Sequence, residues 1–324
     1  MDWLKFTLES DDIDITVASA DASFRRYFRV ESDGKTWIAM DAPPDKEDCK
    51  PFVKVATAFH YVGMNVPEIY AQDLSDGFLM LTDFGNTCYL DKLSDETSDK
   101  LYSDAMQALL NLQVNPKIRN IDLPAYDALL LDREMRLFDE WFLMKHLQHN
   151  LSNDEQRLLD ETYELLKNEA LSQNQAWVHR DYHSRNLMIV AENNPGVIDF
   201  QDAVVGAITY DLVSLLRDCY ISWPNEKVEQ WVLQYHEMLK TKGFCLDISE
   251  AQFMRWFDWM GIQRHLKAIG IFARLNYRDN KPAYLNDIPR TLNYVKTVSS
   301  KYTELENFHH FIVNIVLPKH RSGE

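Results

Sequence analysis

His179-Arg180-Asp181-Tyr182-His183-Ser184-Arg185-Asn186, and beyond a short hairpin Val197-Ile198-Asp199-Phe200-Gln201-Asp202, is the stretch from which the rest of the chain can be read. The first block has the pattern H-R-D-x-x-x-x-N, and the second sets an aspartate at the end of an apolar strand. Together they match the needs of phosphoryl transfer. One carboxylate accepts or orients a hydroxyl proton, while an amide oxygen and a second carboxylate hold Mg²⁺ against the ATP phosphates. A lone His-x-Asp is usually a surface turn, and the three residues in this order make the pattern specific. Asp181 is thus the candidate catalytic residue, Asn186 and Asp199 the candidate metal ligands, and ATP and Mg²⁺ the expected cofactors. His179 reads as a prop for the loop backbone, and Asp202 as a contact to substrate or a second metal.

Working outward, the first third of the chain reads as strands: Ile13–Ser19, Arg25–Val30 and Thr36–Met40, with the hairpin turn Ser32-Asp33-Gly34-Lys35 between the last two. Residues Cys49–Val62 carry apolar side chains at helical spacing and stop at Gly63. Strands at Glu68–Gln72 and Phe78–Thr82 flank Ser75-Asp76-Gly77. After Asp83-Phe84-Gly85-Asn86 the pattern turns helical, with Ser152 to Glu155 offering caps for one helix. Short strands at Ala176–Val178, Leu187–Val190 and Gly196–Ile198 interrupt it, and beyond Asp211 the chain reads as helix, with core spacing at Trp256, Trp259 and Ile262. The expected fold is α+β and bilobal, protein-kinase-like, with a small five-stranded β-rich N-lobe over 1–84 that binds nucleotide. A large helical C-lobe over 85–324 would carry the catalytic loop and the substrate site.

Several positions depart from the usual kinase pattern. The loop Ser19-Ala20-Asp21-Ala22-Ser23-Phe24 stands where a phosphate-cradling loop belongs but has no glycine, so Ser19 and Ser23 with backbone N–H groups are the candidates there. Met40 occupies the third-strand position where a phosphate-pairing lysine is expected. A cation from Arg25, Arg26 or Arg29 should compensate; strand alternation splits them between two faces, and Arg26 is favoured. Thr82 and Asp83, closing the fifth strand, complete the cofactor-binding candidates. Arg133 and Glu134 are candidate acceptor contacts, while Trp141 sits at core spacing. Phe200-Gln201-Asp202 replaces the usual Phe-Gly, so no flipping activation segment is expected. Asp211 reads as an N-terminal helix cap, or as a brace beneath the catalytic loop.

A formal charge of −16 argues against nucleic acid or an anionic membrane as the main partner, though a local cationic pocket could still take an anionic substrate. Cys49, Cys88, Cys219 and Cys245 show no metal or disulfide spacing. With no signal-peptide layout before Asp14 and no long apolar run, a cytoplasmic protein with reduced thiols is expected. The tail Pro318 to Glu324 is expected to fray.

The H-R-D-x-x-x-x-N and I-D-F-x-D blocks on this layout resemble the aminoglycoside phosphotransferase and choline kinase superfamily. Within it, Asp21-Ala22-Ser23-Phe24-Arg25-Arg26-Tyr27-Phe28 and Met40-Asp41-Ala42-Pro43-Pro44 are similar to the bacterial N-acetylmuramate/N-acetylglucosamine anomeric kinases of cell-wall recycling. Thr209-Tyr210-Asp211 and Ser222-Trp223-Pro224 extend the resemblance over most of the chain. It implies transfer of the ATP γ-phosphoryl group to the anomeric hydroxyl of an amino sugar, and it makes Met40 part of the group's pattern rather than a mark of inactivity. Two alternatives stay open: a kinase for an aminoglycoside or choline-like acceptor, which an acidic chain suits, and a non-catalytic nucleotide-binding module.

Overall fold

The computed structural model describes residues 2–20, 24–115 and 122–322. They form two compact units: residues 1–112 with 185–202, and residues 113–184 with 203–324.

The first unit is built on a five-stranded antiparallel sheet of strand order β1-β2-β3-β5-β4, with β1 at Asp14–Ala20, β2 at Arg26–Ser32, β3 at Lys35–Asp41, β4 at Ile69–Asp73 and β5 at Phe78–Thr82. The β2–β3 hairpin turns on Asp33 and Gly34, both at positive φ (51° and 70°), the backbone that a two-residue turn matching strand twist requires. At the β4–β5 turn only glycine fits: Gly77 has φ +79°, and a Cβ there would lie 1.9 Å from the Ala42 carbonyl oxygen. Helix α1, Asp2–Leu8, covers one face by setting Leu4 on Val30 and Ala39. Helix α2, Cys49–Tyr61, is capped by the Asp48 carboxylate, which accepts from Lys50 N, and buries Phe52, Val55, Ala56 and Phe59 at the predicted spacing. The hairpin of β7 (Leu187–Met188) and β8 (Gly196–Val197) belongs to this unit.

The second unit is helical and centres on one long helix, Glu250–Asp279, most of whose residues are buried whatever face they occupy. Helix α4, Ala128–Leu137, crosses it so closely that a Cβ on Gly270 would sit 2.3 Å from the Leu137 carbonyl carbon. A short two-stranded sheet pairs β6 (Gln175–Val178) with β9 (Val204–Ala207), and β6 delivers the chain into His179. The β9 strand is too short, and too far from its partner in sequence, to be read from periodicity. The N-terminal cap at Ser152 is a full capping box with Glu155. The segment expected to fray from Pro318 is helical as far as Ser322. Phe308, Phe311, Ile312 and Val316 are buried in the core, and a π-helical turn at Ile312–Val316 leads into a last helix, Leu317–Ser322. Widening of the turn just before a proline relieves the helix of the clash and lost donor that would otherwise end it.

Candidate functional site

In the first unit a cavity of about 330 Å³, within the ~300–1,000 Å³ of small-molecule pockets, opens beside the sheet. Ile38 and Leu81, cross-strand partners on β3 and β5, form one apolar wall; Met188 and Ile198 are on its lining too. Phe52 and Phe200 also line it, with ring centroids 4.7 Å apart. Such apolar walls suit a flat heteroaromatic ring.

Asn186 and Asp199 lie together on this lining. Asn186 Nδ2 donates to Asp199 Oδ2 at 3.2 Å, and Gln201 Nε2 donates to Asp199 Oδ1 at 2.7 Å. Asp199 adopts φ +65°, a left-handed backbone that aspartate tolerates better than most residues. The Gln201 Oε1 atom is buried with no hydrogen-bond partner among the described residues. A carboxylate, an amide and an orphaned amide oxygen make a hard oxygen donor set, which fits Mg²⁺ with phosphate oxygens and water completing its shell. No group of three His, Cys, Asp or Glu suited to a metal occurs among the described residues, so a zinc-type site is not built here.

The arginines of β2 divide as alternation demands, but not as the sequence reading favoured. Arg26 pairs with Asp41 on the face away from the cavity, its side chain 62% exposed, and is not among the cavity's lining residues. Arg29 lines it. Its guanidinium clamps Asp83 through Nε (2.6 Å) and Nη2 (2.9 Å) and reaches Asn86 Oδ1 and the Gly85 carbonyl. Burial pushes the Asp83 carboxyl up, but bonds from Arg29, Gly85 N–H and Thr36 outweigh it and hold the pKa below its ordinary value. Arg25, just before β2, is mostly buried against Glu47 at 3.2 Å, with Tyr27 and Asp202 close enough to act on it electrostatically. Met40 is buried in β3 on the same face as Ile38. Thr82 lines the cavity beside Asp83. Ser23 lies outside the described residues, as does the side chain of Ser19.

The second unit holds Asp181. His179 N and Arg180 N donate to the two oxygens of buried Asp211, at 2.6 and 3.0 Å. Asp211 therefore braces the catalytic loop and does not cap its helix, α6 (Tyr210–Leu216), whose N-cap is Thr209. Burial pushes the Asp211 carboxyl up to about 7 despite those two bonds. His179 Nδ1 accepts from Asp181 N at 3.3 Å, and Asp218 accepts from Ser184 N and Oγ at 2.9 and 2.5 Å. Arg180 sits at φ +79°, which for a long side chain is strain that this bracing sustains.

Around Asp181 stands a group of cations that sequence reading missed. Glu134 is buried and ion-paired with Arg180, with Lys267 Nζ 3.4 Å away, and accepts from Tyr126 OH. Lys267 Nζ donates to Tyr210 OH at 3.0 Å. Burial pushes the Asp181 carboxyl up, but Lys267, His183, Arg264 and Arg180 together bring it down to about 2, so it stays ionised at neutral pH. Arg133, next to Glu134 on α4, points to solvent, so of the two acceptor candidates the structure sets only Glu134 in this cluster. Asp202 is exposed in the first unit, within electrostatic reach of Arg25.

The model of the phosphotransferase enzyme family matches residues 14–247, spanning both blocks just described. The chain belongs to the phosphotransferase enzyme family. This phosphotransferase is 46% identical over 288 residues to a Pseudomonas aeruginosa protein named N-acetylmuramate/N-acetylglucosamine kinase, covering 89% of the chain and 84% of the relative. A Neisseria meningitidis protein of the same name is 43% identical, covering 97% of the chain and 94% of the relative. Among solved structures, Plasmodium vivax ethanolamine kinase superposes with a TM-score of 0.64 at 12% identity, covering 90% of the chain and 85% of that structure. An ADP-bound aminoglycoside phosphotransferase gives 0.58 at 15% identity, over 90% and 96%. The fold is thus the protein-kinase-like α+β fold that the sequence led us to expect, and the enzyme is a phosphotransferase.

Proposed function

We propose that this phosphotransferase moves the γ-phosphoryl group of ATP to the anomeric hydroxyl of N-acetylmuramate and N-acetylglucosamine. The observation that carries the reading is that relatives 43–46% identical over nearly the whole chain share that name. Asn186 and Asp199, with Gln201 beside them, would hold Mg²⁺, which would supply positive charge to offset that of the ATP phosphates. Ile38, Leu81, Met188 and Ile198 take the adenine, Thr82 and Asp83 border it, and Ser19 and Ser23 remain candidates for the phosphates. With Met40 unable to pair a phosphate, Arg29 is the cavity's own cation and replaces Arg26 in the proposal.

Asp181 accepts a hydrogen bond from the acceptor hydroxyl and orients it for in-line attack. A hemiacetal hydroxyl is more acidic than an ordinary alcohol, so a carboxylate held near pKa 2 suffices: it aims the nucleophile more than it deprotonates it. Asp211 and His179 hold the loop that presents Asp181, and Arg180 ties it to Glu134. The division into a nucleotide-binding lobe over 1–84 and a catalytic lobe over 85–324 belongs to this reading. So does a cytoplasmic setting, which the four free thiols and the absence, among the described residues, of a helix able to cross a membrane both support.

The rival acceptors are polycationic or quaternary amines. Arg180, Arg264 and Lys267 around Asp181 would repel them, which counts against that alternative. A panel assay of ATP consumption with N-acetylmuramate, N-acetylglucosamine, kanamycin and choline tests the reading. Turnover with the first two supports it; turnover with only the last two would remove it.

A further inference from the structure

Resting on that reading, we propose that Arg264 determines specificity by receiving the carboxylate of an acidic amino sugar whose anomeric hydroxyl meets Asp181. The long helix Glu250–Asp279 belongs to the same unit as Asp181 and buries Gln263, Arg264 and Lys267, the last two close enough to act on Asp181 electrostatically.

Lys267 is already served: Tyr210 OH lies 3.0 Å and Glu134 3.4 Å from its ammonium. Arg264 is not. Only 6% exposed, it donates one bond, from Nη1 to the Cys219 sulfur at 3.6 Å, and its Nε has no partner among the described residues. No carboxylate among the described residues lies within ion-pair distance of it, although Asp181 and Asp218 are near enough to act on it electrostatically. Burying a guanidinium without a bonded anion is costly, so a fold keeps one where an anion arrives to complete it. The neighbouring Gln263 Oε1 is likewise buried and unpartnered, although its Nε2 reaches Tyr126 OH at 3.3 Å. Two adjacent residues of one helix thus hold unused polar atoms, and Arg264 does so within electrostatic reach of the candidate catalytic carboxylate.

The planar fork of arginine matches a carboxylate in two parallel bonds. The donor phosphates are served in the first unit, where Asn186 and Asp199 lie, so the anion that meets Arg264 belongs to the acceptor. Of the two sugars named for the relatives, N-acetylmuramate carries a carboxylate on its ether arm and N-acetylglucosamine carries none. Arg264 therefore favours the first; its further part in keeping Asp181 ionised acts on both sugars alike and cancels in their ratio.

The test compares kcat and KM for both sugars in the wild type, Arg264→Gln and Arg264→Lys, together with the methyl ester of N-acetylmuramate on the wild type. Loss of a charge-assisted pair predicts that Arg264→Gln lowers the ratio of kcat/KM for N-acetylmuramate over N-acetylglucosamine by tenfold or more, mainly through KM, with partial recovery in Arg264→Lys. The ester should lose a similar factor on the wild type, a readout that needs no variant to fold, and lose nothing further on Arg264→Gln. An unchanged ratio, or an ester used as well as the acid, would overturn the assignment while leaving the kinase reading intact. A wild type inactive on both sugars would instead overturn the reading itself and this inference with it.

Discussion

Asp181 combines two demands that conflict in water: it must be ionised at neutral pH and largely withdrawn from solvent. The chain resolves this with charge. Lys267 and Arg264 come from a helix far along the sequence, His183 and Arg180 from the motif, and together they hold the carboxyl down to about 2 against the burial that raises it. Asp181→Asn keeps the shape and removes the charge that, on the proposed reading, orients the nucleophile. We expect kcat to fall roughly 10²–10⁴-fold, about 3–5 kcal/mol of transition-state stabilisation, with KM for ATP within a few-fold of wild type by steady-state kinetics. At this scale the motif residues were legible because their spacing is local. Arg26 and Arg29 were not separable, because alternation says that they take opposite faces but not which face borders a cavity.

At the scale of elements, the long helix Glu250–Asp279 is the part least visible beforehand. Its Trp256, Trp259 and Ile262 mark a core face, but the whole segment from Trp256 to Lys267 is buried, polar residues included. A helix surrounded by others has no solvated side, so periodicity cannot tell a charged residue facing water from one facing a site. His265 shows what this surrounding does. It stacks on Tyr294 with ring centroids 4.9 Å apart, and its Nε2–H donates to the Arg217 carbonyl at 2.9 Å. Burial first, then the Arg264 and Arg217 cations, push its pKa down to about 3. The folded-state pKa is depressed, so the neutral ring's contribution is present above pH ~6.5, the ordinary histidine value, and is lost as pH falls towards 3. The loss is up to about 1.4 kcal/mol per pH unit. Because buried Asp211, raised to about 7, contributes with the opposite sign in this window, the comparison is between wild type and His265→Phe, which keeps the stacking. Chemical denaturation between pH 7.5 and 4.5 should show the variant losing less stability per pH unit, and equal slopes would rule His265 out as the source.

For the whole molecule, a net charge of −16 would on its own repel both ATP and an acidic sugar. On the proposed reading, binding depends on local groups: the oxygen donors that would take Mg²⁺ in the first unit and the cations around Asp181 in the second. Saturating Mg·ATP should raise the melting temperature, since a ligand at 100 times its Kd adds about 2.7 kcal/mol. The rise should vanish in Asp199→Ala and persist in Asp181→Asn, as scanning fluorimetry with and without EDTA would show. Persistence of the full shift in Asp199→Ala would remove that residue from the metal site.

The sequence alone determined the class of chemistry, the five strands and α2, and it nominated the three residues of the motif, because each depends on spacings of a few residues fixed by backbone geometry. Only the tertiary structure decided that Arg29 rather than Arg26 borders the cavity, that Asp211 braces rather than caps, and that Arg264 and Lys267 stand beside Asp181. Those facts depend on which faces of distant segments pack together. Burial and net electrostatic balance, not local pattern, select that packing.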